Sequence, residues 1–260
     1  MKVLSTLRSV NQGLNETQNR ISTGLKVSSG KDNAAYFAIS ETMKGDSGMT
    51  KAVNESLTLT KNSVATARLG AEQFSDLATE FRDKVAFAQE NKGGLDEIES
   101  DLTRLVADMA AIMSQSTFNG DDLVNAGKKG AAGANAVAGT MDAYGAVTAG
   151  ATPSAAQADR SIITGISRDT AGALQTTTIT VSPVDLNAQL ETFTLIADSF
   201  ASRAGATTDV NASGGIDGDE YLGNVLALAD TATQATVDAA TSLGQSEKSI
   251  ERQQEFLTKL

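Results

Sequence analysis

The 260-residue chain contains no cysteine, no histidine and no tryptophan. Without thiols or imidazoles it forms no disulfide, no zinc ribbon, no Cys-His or Ser-His triad and no His-ligated haem, which removes most hydrolytic and redox chemistry. A metalloprotease built on His-Glu-x-x-His is excluded for the same reason. Aromatics are only 4% of residues and proline occurs twice, at Pro153 and Pro183. Such a chain is poor in the rigid rings that line small-molecule pockets and suits long helices. Basic residues number 21 and acidic residues 32, a net charge of −11, the wrong sign for a phosphate-binding surface, so no nucleic-acid partner is expected. No apolar run reaches the roughly 18 residues of a membrane span, and Met1–Arg8 lacks the apolar core of a cleavable signal peptide. No membrane span is expected, and export, if any, by another route. The length allows one or two domains.

What is present is heptad patterning on both sides of a small-residue zone. Residues 126–158 hold 19 Ala or Gly among 33, too little side-chain volume for the centre of a core. Upstream, apolar residues recur at alternating steps of three and four, the coiled-coil period. The longest seam reads Ile39, Met43, Asp46, Thr50, Val53, Leu57, Thr60, Val64, Ala67, Ala71, Phe74, Ala78, Phe81, Val85 and Ala88, twelve of the fifteen apolar. None of Gly45, Gly48 and Gly70 is joined by a proline, so the pattern predicts one helix over about 33–90, roughly 80–90 Å long. Shorter seams are Leu4, Leu7, Asn11, Leu14, Gln18, Ile21, Leu25; then Leu95, Ile98, Leu102, Leu105, Met109, Ile112; and finally Leu222, Val225, Ala229, Ala232, Thr236, Ala239, Leu243, Ser246, Ile250, Gln253, Leu257, Leu260. Four amphipathic segments with narrow seams predict a mainly α fold: an elongated antiparallel helical bundle or coiled-coil rod with a small mixed α/β insertion.

Turn chemistry separates the segments. Ser28-Ser29-Gly30-Lys31-Asp32 divides the first two helices with Asp32 as N-cap, and Asn91-Lys92-Gly93-Gly94 divides the next pair with a glycine C-cap. Between 160 and 183 the pattern becomes β-branched, with Asp169-Thr170-Ala171-Gly172 as a hairpin turn. Pro183 then precedes a helix over about Val184–Ala201 presenting Leu186, Leu190, Phe193 and Ala197 on one face. The domains expected are therefore a discontinuous helical rod, 1–125 plus 219–260, and an insertion, 126–218. Neither terminal seam carries a cap or stop signal, so both outer helices are expected to be cut short.

Two segments resemble a known family. Asn19-Arg20-Ile21-Ser22-Thr23-Gly24-Leu25-Lys26-Val27-Ser28-Ser29-Gly30-Lys31-Asp32-Asn33-Ala34-Ala35 is similar to the N-terminal hallmark of bacterial flagellins, and Ser116-Thr117-Phe118-Asn119-Gly120 to their Thr-x-Phe-Asn-Gly. Ser242-Leu243-Gly244-Gln245-Ser246-Glu247-Lys248-Ser249-Ile250 resembles the family's returning helix, and Tyr36-Phe37-Ala38-Ile39-Ser40 its alphaproteobacterial form. The resemblance covers about 1–124 and 219–260. It implies a structural, non-enzymatic subunit of the flagellar filament, extracellular, assembling with other flagellin subunits for motility after export through the flagellum's own machinery with a chaperone. It also implies a fragment lacking most of the terminal inner-tube helices, hence monomeric. A hook–filament junction protein and a surface polysaccharide-binding or adhesin homologue are the alternatives; the insertion offers the latter only Tyr144, Phe193 and Phe200 for stacking on sugars. Many flagellins carry Arg-x-Arg-Glu-Leu-Ala-Val as the contact for a Toll-like immune receptor. The matching Glu80-Phe81-Arg82-Asp83-Lys84-Val85-Ala86 keeps part of it, and weak recognition is expected.

One motif lies outside that resemblance. Residues 209–220, Asp-Val-Asn-Ala-Ser-Gly-Gly-Ile-Asp-Gly-Asp-Glu, fit the twelve-residue calcium loop. Asp209, Asn211 and Ser213 are oxygen donors at positions 1, 3 and 5, and Gly214 permits the turn at 6. Gly215 offers its carbonyl at 7, Asp217 stands at 9, directly or through water, and Glu220 at 12 as the bidentate carboxylate. Ile216 supplies the usual apolar residue at 8. The same stretch also reads as a polar linker in which Asp217 or Asp219 caps the next helix. If Ca²⁺ binds, the lack of an incoming helix implies a weak site, nearer about 10⁻⁴ M than a cytosolic sensor. Elsewhere Lys128-Lys129 reads as solvated linker, Asp121-Asp122 as surface, and Met43, Phe74, Phe81 and Met109 as packing rather than a ligand box.

Overall fold

The computed structural model describes residues 2–23, 34–125, 139–148, 157–207 and 217–259, with side chains from residue 45 onward in these ranges and in residues 2–12. The elements in chain order are α1 (Lys2–Thr23), α2 (Ala34–Ala88), a one-turn 3₁₀ helix (Lys92–Gly94) and α3 (Leu95–Gln115). Next come β1 (Thr117–Phe118), β2 (Asp121–Asp122), β3 (Thr140–Met141), β4 (Val147–Thr148), β5 (Arg160–Arg168) and β6 (Leu174–Val181), and finally α4 (Leu186–Ala197), α5 (Phe200–Ala204) and α6 (Gly218–Lys259). Among the described residues the chain is mainly α, with three two-stranded sheets, β1-β2, β3-β4 and β5-β6. Two compact units are formed, one by residues 1–56 with 163–177, the other by 57–162 with 178–260.

In the second unit the expected seam is the core. Leu57, Val64, Ala67, Ala71, Phe74, Ala78, Phe81, Val85 and Ala88 of α2 are fully buried, as are Leu102 and Met109 of α3 and Leu222, Val225, Ala229, Leu243 and Ile250 of α6. Polar links along α2 and α6 fix an antiparallel register. Thr58 accepts from Gln254 at 2.7 Å, Lys61 pairs with Glu251 at 3.2 Å and Arg68 pairs with Glu247. Further along, Thr233 Oγ1, which donates to the Ala229 carbonyl of its own helix at 2.7 Å, lies 3.3 Å from the Ala78 carbonyl, and Arg82 pairs with Asp230 at 3.2 Å. Gly70 sits against the buried Ser116, and a Cβ there would overlap the serine side chain.

Three expectations are corrected. The last buried residue of α3 is Met113 and not Ile112, which is half-buried; a straight helix of 3.6 residues per turn drifts from a 3.5 seam. The helix expected over 184–201 is two helices, α4 and α5, because Asp198 turns extended and Ser199 takes a left-handed φ of 56°. In α1, Leu4 and Leu7 are exposed rather than seamed, at 58% and 54%. The helix end at Asp32 and the seam residues Leu14, Gln18, Ile21, Leu25, Ile39 and Met43 lie outside the described backbone or side chains.

Between these helices, α4 packs on α3 and α6. Its Phe193 ring lies 4.8 Å from that of Phe81 and 6.4 Å from that of Phe74, both pairs tilted as aromatic quadrupoles prefer. Asp185 caps α4 by accepting from the Ala188 N–H at 3.2 Å. The hairpin β5-β6 has the expected turn. Asp169 Oδ1 accepts from the N–H groups of Ala171 and Ala173 at 2.9 and 2.8 Å, and Gly172 supplies the left-handed φ of 84°.

Candidate functional site

The start of α6 holds the described part of the candidate calcium loop. Asp209, Asn211, Ser213 and Gly215 lie outside the described residues. Asp217, Asp219 and Glu220 fall in the last residue before α6 and its first turn. Asp217 Oδ1 accepts from the Asp219 N–H at 2.9 Å, an N-cap, and its carbonyl accepts from the Tyr221 N–H at 3.1 Å. Asp217 also forms a ladder bridge with Thr207, and Gly218 donates to the Ala206 carbonyl at 3.0 Å. Only glycine fits at 218, since a Cβ would strike the Ala204 carbonyl. The Asp219 carboxylate is taken by Lys92 and Glu220 is exposed. Among the described residues no three acidic side chains stand together as a metal-holding group.

Just beyond the cap, Tyr221 was missed by the heptad reading. It is fully buried, its ring 6.0 Å from that of Phe200 and its hydroxyl donating to the Ile196 carbonyl at 3.3 Å. Burial pushes its pKa up to about 12, because the phenolate would be desolvated. The signal that could have found it is its place beside Leu222: two adjacent large apolar groups imply a wider buried face than a coiled-coil seam.

The other marked residues prove structural where they are described. Phe74, Phe81 and Met109 are core. Asp121 pairs with Arg160, while Asp122 accepts from the Val124 N–H at 3.1 Å and from the Asn125 amide at 2.6 Å. Asn119 and Gly120 form the β1-β2 turn with φ of 54° and 78°, the positive values such hairpins need. Lys128 and Lys129 lie outside the described residues. In the stretch 80–86, Phe81 and Val85 are buried, Arg82 is tied to Asp230 and Asp83, and Lys84 to Asp101 at 3.2 Å.

A second surface is apolar. Along α1, Val3, Leu4, Leu7 and Val10 are 74, 58, 54 and 59% exposed and follow the i, i+3, i+4 spacing of one helix face. No helix among the described residues is long and apolar enough to cross a membrane.

Comparison with known proteins adds identity to this geometry. The model of the bacterial flagellin N-terminal helical region matches residues 1–129. The chain is 35% identical over 141 residues to flagellin A of Rhizobium meliloti, covering 54% of this chain and 36% of that protein. It is 27% identical over 270 residues to flagellin C of R. meliloti strain 1021, covering all of this chain and 80% of that protein. To a flagellin of Brucella melitensis biotype 1 it is 35% identical over 129 residues, 48% of this chain and 45% of that one. The chain thus spans less than half the length of two of these three relatives.

Proposed function

This chain belongs to the bacterial flagellin family, of alphaproteobacterial type, and on that premise we propose that it is a structural subunit of a flagellar filament, self-assembling for motility. The observation that carries the reading is the apolar face on α1, Val3, Leu4, Leu7 and Val10, that is exposed in one copy. Apolar residues at helical spacing are stabilised by burial, and a second subunit supplies it. The helical flanks 1–125 and 219–260 then make the subunit contacts, and 126–218 interrupts them. Its role is mechanical rather than catalytic, its place outside the cell, and its partners are other flagellin subunits and the flagellar export machinery with a chaperone. Arg82 and Lys84, engaged in ion pairs, leave little free basic surface for the immune receptor, and recognition is weak.

Expression in a flagellin-deleted host of the same bacterial group tests this. Filaments by electron microscopy and restored swimming are expected of a self-assembling subunit and would overturn the expectation of a monomeric fragment, which a chain that stays monomeric would uphold; a Leu4→Asp/Leu7→Asp variant loses filaments while keeping its helical circular dichroism. A few copies confined to the hook would indicate a junction protein instead, and filaments unaffected by the double variant would remove α1 from assembly.

For residues 209–220 we propose one weak Ca²⁺ site held by Asp209, Asn211, Ser213, the Gly215 carbonyl, Asp217 and Glu220, clamping the start of α6. The donor pattern supports it, as does the Thr207–Asp217 bridge that closes the base of the loop. Titration of metal-stripped protein with CaCl₂ should give saturable heat and a raised melting temperature, both lost in Glu220→Gln. No heat up to about 10 mM, beyond the weak end of such loops, would leave Asp217 as a helix cap alone.

A further inference from the structure

Residues 45–52 of α2 are helical, yet none of their side chains is buried, the first buried residue being Val53. Two of the eight are glycines, and a Cβ on Gly45 or Gly48 would meet nothing within 4 Å among the described residues. Glycine without a packing or conformational reason weakens a helix, because its unfolded chain has more freedom to lose. A helical stretch with no buried side chain is the kind that opens locally ahead of the rest of a protein.

Among the described residues, one side chain from elsewhere in the chain grips this stretch. Arg168, the last residue of β5, donates from Nε to Asp46 Oδ2 at 3.0 Å and from Nη2 to Asp46 Oδ1 at 2.9 Å. This is the two-pronged fork that makes Arg–carboxylate pairs geometrically specific. Its remaining terminal nitrogen, Nη1, donates to the Gly172 carbonyl at 3.1 Å, inside the turn that Asp169 organises through Ala171 and Ala173. One guanidinium therefore joins the hairpin turn to the weakest described part of α2.

We propose that residues 45–52 form a conformational latch, a helical stretch held closed by the Arg168–Asp46 fork and opening by about two turns when that fork is broken. The glycines set how readily the stretch opens, and the hairpin turn sets whether it does. Lys in place of Arg168 keeps the charge and loses the fork, so it holds the latch only in part.

Amide hydrogen exchange on the intact chain reads this directly. Arg168→Gln should speed exchange at amides 46–52 at least fivefold while leaving amides 64–85 unchanged. Arg168→Lys should fall between, and Gly45→Ala/Gly48→Ala added to Arg168→Gln should restore slow exchange. The proposal is overturned if Arg168→Gln leaves 46–52 unchanged, if it speeds 64–85 equally, or if the two alanines fail to slow the opened stretch.

Discussion

Two stretches of one helix carry the same heptad pattern and have different fates. From Leu57 to Ala88 nine of the ten seam residues of α2 are fully buried, Thr60 being the exception. From Gly45 to Ala52 the seam positions are Asp46 and Thr50, and nothing is buried. Periodicity specifies which face of a helix is ready to be covered; it does not supply the cover. In the later stretch the cover is α6 and α4, with Phe193 against Phe74 and Phe81. In the earlier one, among the described residues, an ion pair with Arg168 takes its place.

The largest effects should separate the stretches cleanly. Phe81→Ala removes a fully buried ring in contact with Phe193 and should destabilise by about 3–5 kcal/mol. Thr50→Ala, in the earlier stretch, should fall within about 0.5 kcal/mol of zero. Urea denaturation of both variants measures this, and comparable losses would mean that the earlier stretch is cooperatively tied to the core after all.

Much of this division was legible beforehand, and the parts that were not have separate causes. The bounds of α2, the Asp169–Gly172 turn and the buried faces of α3 and α6 follow from residues near one another in sequence, where local propensity and period agree. Tyr221 escaped because it depends on a distant element, Met113 because a 3.6-residue turn does not keep a 3.5 seam, and the break at Ser199 because its left-handed φ carries no glycine to mark it. Tyr221 is buried by Phe200 and the Ile196 carbonyl. Of the proposed calcium loop, the donor types and their spacing were legible, as was the helix cap at Asp217. A sequence pattern does not state how the donors at 209–215 are arranged in space.

The same substitution should have opposite signs in the two stretches. Gly70→Ala drives a Cβ into Ser116, whose hydroxyl already donates to the Ile112 carbonyl at 2.5 Å. It should destabilise by about 1–3 kcal/mol through overpacking. Gly48→Ala meets nothing and should stabilise the helix by roughly 0.5–1 kcal/mol. Thermal melts of the two variants should move in opposite directions; equal signs would remove glycine packing as the difference between the stretches.

An alkaline pH effect belongs to the core side. Tyr221 has its pKa raised to about 12 from 10.0, so the folded state favours the neutral phenol. The stability this contributes is fully present below pH 10 and is lost as pH rises towards 12. The melting temperature should therefore fall across that window, and Tyr221→Phe should flatten that part of the fall. A profile unchanged by the variant would place the alkaline transition elsewhere.

The smallest effects concern the ion pairs along α2 and α6, and they test whether burial or charge holds the later stretch. Lys61 and Glu251 are both well exposed, with side chains 32% and 44% accessible. A double-mutant cycle on such a pair should yield only about 0.2–1 kcal/mol. Glu247, opposite Arg68, is just 15% accessible, so screening is weaker there and its cycle should give the larger coupling and the smaller loss in high salt. If both couplings stayed within that range while Phe81→Ala cost several times more, the α2–α6 register would be specified by charge and stabilised by packing. Coupling at Arg68–Glu247 rivalling the loss of a buried ring would reverse that assignment and make the charged edge a principal source of the core's stability.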